Sequence, residues 1–133
     1  MYLLWRERAR GARKFIAQGG FERPAEFADS VVKALPFMIR HNGLGQAAAF
    51  YRNKGKDHAR LYDFLNAWLT DAGRPYVAQG DSPPAQRGLL NAIENGDMDD
   101  YRLACAEALA VMEWVKTFAE AFIEIPAGSE VKK

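Results

Sequence analysis

The sequence has one cysteine, two histidines and no apolar run near the roughly 20 residues that a membrane span requires. A lone Cys105 excludes an internal disulfide framework. The apolar opening before Arg6 is too short for a secretory core, so the expectation is a cytoplasmic protein with no membrane partner. Metal centres want clustered His, Cys and carboxylates, whereas His41 and His58 stand 17 residues apart with neither a CxxC nor an HExxH pattern. No metal or other cofactor is expected. Net charge is also scarce, only +1, but it is unevenly placed: residues 1 to 60 carry 12 Lys and Arg against 5 Asp and Glu, and the remainder carries 6 against 12. Chance variation among solvated helix faces and a polyanion-binding edge both produce such a split.

No segment alternates strictly between apolar and polar residues, so strands are not expected, and helical spacing accounts for nearly everything. The chain length suits a single helical domain spanning 1–133. Tyr101, Cys105, Ala108, Met112, Val115, Ala119 and Phe122 recur at steps of three and four, placing a buried stripe on a long helix over about 98–124. Asp97 is its expected cap, with Asp99 and Asp100 beside the positive end of the macrodipole. A first helix over 3–18 stops at Gly19-Gly20. Pro24 suits a first helical position for a helix over about 24–40, with Phe27, Val31, Leu35 and Met38 inward. Pro36 predicts a bend or a restart in that helix, because it removes a backbone donor and disfavours helix at Leu35. Asn42-Gly43 allows φ > 0 and turns the chain into a helix over 44–53. Asp57 is the expected cap of the next helix, with Leu61, Phe64, Leu65, Trp68 and Leu69 inward up to Gly73. Residues 73–83 read as a variable loop, followed by a short helix over 84–95. The fold class is therefore all-α, a compact bundle of about six helices with a long C-terminal helix and a Pro-kinked second helix.

Catalytic chemistry finds little support in these residues. Asp97-Met98-Asp99-Asp100 reads as a helix start before it reads as a metal site. His58 has acids nearby, but no motif supplies a nucleophile and an oxyanion donor. Cys105 lies in the apolar stripe, where a thiol is structural. Asn42-Gly43-Leu44-Gly45-Gln46 lacks the Lys-Ser/Thr of a phosphate loop and is a corner. Pro36, Asn42, Gly43 and Gln46 are assigned to that corner's architecture, and no catalytic residue is proposed.

Two blocks, Leu35 to Lys54 with its pattern Leu35-Pro36, Ile39, Asn42-Gly43-Leu44, Gln46 and Phe50, and Tyr101 to Phe122 with Glu107-Ala108-Leu109, Trp114, Lys116, Phe118 and Ala119, resemble the small α-helical subunit of the type III-B CRISPR effector, the Cmr complex (RAMP module). The resemblance covers about a third of the chain. It implies a helical bundle with no catalysis of its own and no small-molecule substrate. Its partners would be other Cmr subunits and further copies of itself, stacked in a minor filament that supports the guide RNA/target RNA duplex or single-stranded nucleic acid in antiviral defence. Members of the family often carry a second cation after the Trp-x-Lys lysine, where this chain has Thr117.

Base pairing already reads sequence in such an assembly, so the subunit needs cations at phosphate spacing on a rigid frame. Arg40, Arg52, Lys54, Lys56, Arg60 and Lys116 are the RNA-binding candidates, with Arg40 expected to approach the helix after Gly43. Ordinary solubilising charges at helix ends explain the same residues. A free-standing helical enzyme and a generic helical protein-protein adaptor outside CRISPR systems are the rival classes.

Overall fold

The computed structural model describes residues 4–71, 74–76 and 88–123. Among the described residues all regular structure is helical: α1 Leu4–Gln18, α2 Pro24–Glu26, α3 Val32–Lys54, α4 Lys56–Leu69, α5 Leu89–Asn95 and α6 Met98–Phe122, with a π-helical turn Phe27–Val31 joining α2 to α3. The expected loop lies largely outside these residues, as do 84–87 of the expected fifth helix and residue 124 of the last. No described helix is long and apolar enough to cross a membrane.

One contiguous core holds the helices together, with Phe27, Leu35, Leu44, Tyr51, Leu65 and Met112 wholly enclosed. Helix α1 lies along α6, and α3 packs on both α4 and α6. The α1 stop falls where the glycines stand, Gly19 and Gly20 both adopting positive φ. Pro24 occupies the start of α2, where a missing N–H costs nothing. Asp97 caps α6 as expected, accepting from the Asp100 amide at 2.8 Å.

Pro36 is buried inside α3, and the helix runs on through it without restarting. The irregularity sits one turn upstream, where the Val32 amide donates to the Phe27 carbonyl across a widened π turn. Pro36 cannot donate to the Val32 carbonyl, so this stretch of ladder is weak. The buried Tyr51 hydroxyl reinforces it by donating to the Val31 carbonyl at 2.7 Å. The true corner is Gly43, with φ 88° and ψ 158°, which divides α3 into two arms. Its absent side chain also admits the Tyr101 hydroxyl, 2.8 Å from where a Cβ would stand, and that hydroxyl accepts the Gly45 amide at 3.0 Å. Asn42 and Gln46 flank the bend on exposed positions.

Three expectations need correction. Asp57 does not cap α4, whose N-cap is the extended Gly55. Its buried carboxylate reaches 34 and 35 residues back instead, accepting the Glu22 amide at 2.7 Å and the Arg23 amide at 2.8 Å. It thereby satisfies donors just ahead of α2. Phe122 ends the apolar stripe but is exposed, lying beside Phe118 and under the Arg13 guanidinium instead of in the core. The stripe itself is broader than expected: Ala108, Met112, Val115 and Ala119 are buried as expected and are joined by Ala104, Glu107 and Val111, while Tyr101 and Cys105 are only partly covered.

Candidate nucleic-acid interface

Arg52 and Lys54 occupy the last turn of α3, where cations favour the negative end of the macrodipole. Lys56 opens α4, the unfavourable end for a cation, and sits 3.8 Å from Glu22. The extended Gly55 between them brings both helix ends to one corner, which Asp57 ties to the start of α2. Lys54, Lys56 and His58 border a shallow cleft there, with Glu22, Arg23 and Glu26 across it. Burial pulls the His58 pKa below the ordinary value, Lys54 lowers it further, and Asp57 and Glu26 oppose both.

The other candidates are distributed differently. Lys56 and Arg60 border an adjoining cleft with Asp63. Arg60 is half-buried, its guanidinium 4.8 Å from the Phe21 ring centroid and 5.9 Å from that of Phe15, so much of it serves packing. Arg52 is exposed and leans over Tyr62 at 6.0 Å, and Lys54 leans over Phe50 at 5.7 Å. Arg40 is exposed on the first arm of α3, on the far side of the Gly43 bend from the corner cations. Lys116 is half-buried on α6, one turn before Glu120, which meets Lys33 of the first arm at 3.8 Å. The chain thus gathers Lys54 and Lys56 at one cleft and Lys56 and Arg60 at the next, while Arg40, Arg52 and Lys116 line neither.

Sequence reasoning missed the strongest polar cluster. Arg8 grips Glu107 with two bonds, Nε to Oε2 at 3.0 Å and Nη2 to Oε1 at 2.8 Å, and the Trp68 indole donates to Oε2 at 2.8 Å. Burial alone would raise the Glu107 pKa. The bonds from Arg8 and Trp68, with the charges of Arg8 and Arg74, outweigh it and hold the carboxyl below its ordinary value. Arg74 stacks 4.0 Å from the Trp68 ring centroid and pairs with Glu7 at 3.0 Å. This network locks α1, α4 and α6 together and points inward, as befits architecture. Its signal in the sequence is a charge of each sign in phase with an apolar stripe, Glu107 with Ala104 and Val111, and Arg8 with Ala12 and Phe15. Among the described residues no three His, Cys, Asp or Glu side chains are grouped to hold a metal ion.

Residues 4–122 match the family model described as CRISPR-associated protein (Cas_Cmr5). The chain is 32% identical over 122 residues to a CRISPR system Cmr subunit Cmr5 from Thermus thermophilus, covering 91% of this chain and 94% of that protein. A crystal structure of a CRISPR-associated Cmr5 family protein, also from Thermus thermophilus, superposes with a TM-score of 0.70 at 25% identity, over 92% of this chain and all of that one.

Proposed function

The chain belongs to the Cmr5 family of CRISPR-associated proteins, and from that premise we propose that it works as a non-catalytic small subunit of a type III-B Cmr effector. In this reading it stacks with further copies beside the guide-carrying subunits and offers the α3/α4 corner to the phosphates of the guide RNA/target RNA duplex. The single observation that carries the proposal is the family match across residues 4–122. The corner adds a physical reason: Lys54 and Lys56 meet at a frame fixed by Asp57. Such contacts position a polyanion without reading its bases, as a subunit accompanying a base-paired duplex must. Each contact is individually weak, and repetition along a filament makes the assembly bind far more tightly than one copy.

The test begins with co-purification of the chain with the remaining Cmr subunits. In the assembled complex, R52A/K54A/K56A lowers affinity for target RNA and flattens the slope of log K against log salt by about 0.7 for each lost phosphate contact. An unchanged slope refutes the corner as the contact, and a wild-type chain that does not co-purify refutes the subunit role in favour of an adaptor working elsewhere.

A further inference from the structure

Helices α1 and α4 flank a groove that neither of them closes. Each has its main packing elsewhere, α1 on α6 and α4 on α3. They run antiparallel past one another: a Cβ at Gly11 would stand 2.6 Å from the Trp68 ring, Phe15 stacks on Phe64 at 4.7 Å, and a Cβ at Gly20 would stand 2.6 Å from the Arg60 guanidinium. Between the two helices lies an open cavity of about 630 Å³, floored by the rings of Phe15, Phe64 and Trp68. Gly11 on one bank and Ala67 on the other leave the Trp68 end of that floor uncovered. The banks differ in charge, with Lys14 on α1 and Asp63 and Asp71 on α4, and Arg60 stands at the Gly20 end. Lys14 and Asp63 are exposed, and neither has an ion-pair partner among the described residues.

The floor does not suit a nucleobase, which needs a free ring face. Phe64 is stacked on Phe15 and on Trp68, at interplanar angles of 26° and 19°, and Arg74 covers Trp68 at 4.0 Å. Ring edges between banks of opposite charge suit a peptide that carries an acid, an apolar side chain and a base in succession. The chain itself holds such a segment. Helix α6 runs parallel to α1, Trp114 meeting Trp5 and Phe122 lying 4.2 Å under Arg13, so Ile123 stands beside the last turns of α1. The ten residues that follow, outside the described ones, read EIPAGSEVKK.

Length and charge order both fit. Glu124 to Gly128 can reach about 16 Å, enough to cross a helix about 10–12 Å wide. The groove runs about 16 Å along α4 from Arg60 to Asp71, which Ser129 to Lys133 can span. A segment entering at the Gly20 end brings Glu130 to Arg60 and Lys14 first, then Val131 to the rings, then Lys132 and Lys133 to the side of Asp63 and Asp71. We propose that residues 124–133 dock as a strap in the α1/α4 groove of their own chain. Tethering to α6 supplies an effective concentration of order millimolar, so contacts too weak to hold a free peptide populate the docked state. The groove shares Arg60 and Asp63 with the cleft that Lys56 borders, so a seated strap sets Glu130 beside one of the candidate phosphate cations. The docking goes beyond the subunit reading and does not depend on it.

Paramagnetic broadening on the intact chain tests this. A spin label is attached at K133C in a C105A background, Cys105 being the single native thiol, with the melting temperature checked against wild type. The expected result is broadening of the Gly11, Ala67 and Asp71 amides and none at Asp99, near the far end of α6. K14E/D63K and E130K/K132E each lower the docked-to-free ratio at least about fivefold, and the two together recover it, because each reversed charge then meets an opposite one. In the chain with its native cysteine, E130K/K132E shifts the Gly11 and Ala67 amide signals. A groove without broadening, broadening spread evenly over the surface, reversals without effect, or a combined variant that fails to recover overturns the proposal. So does broadening passed from a spin-labelled copy to a separate isotope-labelled copy, which puts another molecule's tail in the groove. Each of these outcomes is independent of whether the chain co-purifies with Cmr subunits.

Discussion

Replacing Glu107 with alanine removes one carboxylate and, with it, three charge-assisted hydrogen bonds of 2.8 to 3.0 Å that tie α1 and α4 to α6. The partners left behind are a guanidinium whose side chain is 23% exposed and a half-buried indole N–H. Breaking a fully buried ion pair from one side costs about 3–5 kcal/mol. The partial exposure of Arg8 lets water recover some of that, so E107A is expected to lose about 3 kcal/mol, or about 10 °C in melting temperature for a domain of this size. E107Q keeps an acceptor for Trp68 and is expected to lose about half as much. E113A, at an exposed position on the same helix, stays within about 0.5 kcal/mol. Because the folded pKa of Glu107 is held below its reference value of 4.5, its contribution is complete above that pH and is lost as pH falls through the folded value. Urea unfolding at pH 7 and in steps below pH 4.5 therefore shows the wild type converging on E107Q in acid. An E107A loss indistinguishable from that of E113A, or a wild-type advantage over E107Q that grows in acid, refutes the network as a structural lock.

Three further expectations follow from single residues. G43A places a Cβ 2.8 Å from the Tyr101 hydroxyl at φ 88°, and should lose about 2 kcal/mol by denaturant titration; a neutral result means the bend does not need glycine. D57A abandons the Glu22 and Arg23 amides and should cost about 1–2 kcal/mol, with amide hydrogen exchange accelerating at those residues; unchanged exchange there refutes the tether. H58Q leaves RNA affinity of the assembled complex unchanged at pH 7.5, where burial and Lys54 keep the imidazole neutral. The wild type alone gains affinity as pH falls below His58's lowered pKa, and a tenfold loss by H58Q at pH 7.5 contradicts that picture.

Helix existence was legible because Pro24, the Gly19-Gly20 stop, Asn42-Gly43 and Asp97 act within a few residues of themselves, which is the range over which capping and backbone preference operate. The Gly43 bend was readable for the same reason. Asp57 misled because a carboxylate near a helix start usually serves that helix, whereas here the preceding glycine is extended and the acid finds amides some 35 residues back. Glu107 was hidden in an apolar stripe because periodicity counts apolar residues and its partner Arg8 lies 99 positions away. Of the candidate cations, those joined by a short turn, Lys54 and Lys56, were brought together. Arg40 and Lys116 depend on how whole helices pack, which spacing along one chain does not specify.

The pairing of α1 with α6 also fixes when the fold is completed. Arg8 must wait for Glu107, and at 5–20 residues per second a ribosome needs about 5–20 s to supply the stretch between them. Throughout that interval Phe15 can meet Phe21, Phe27 and Phe64, but the side of the first helix that lies along α6 has no final neighbour to rest against. The nascent chain is therefore expected to spend most of its synthesis in a collapsed, sticky state, settling only once its last helix has emerged, and to benefit from chaperones that shield an early amphipathic helix.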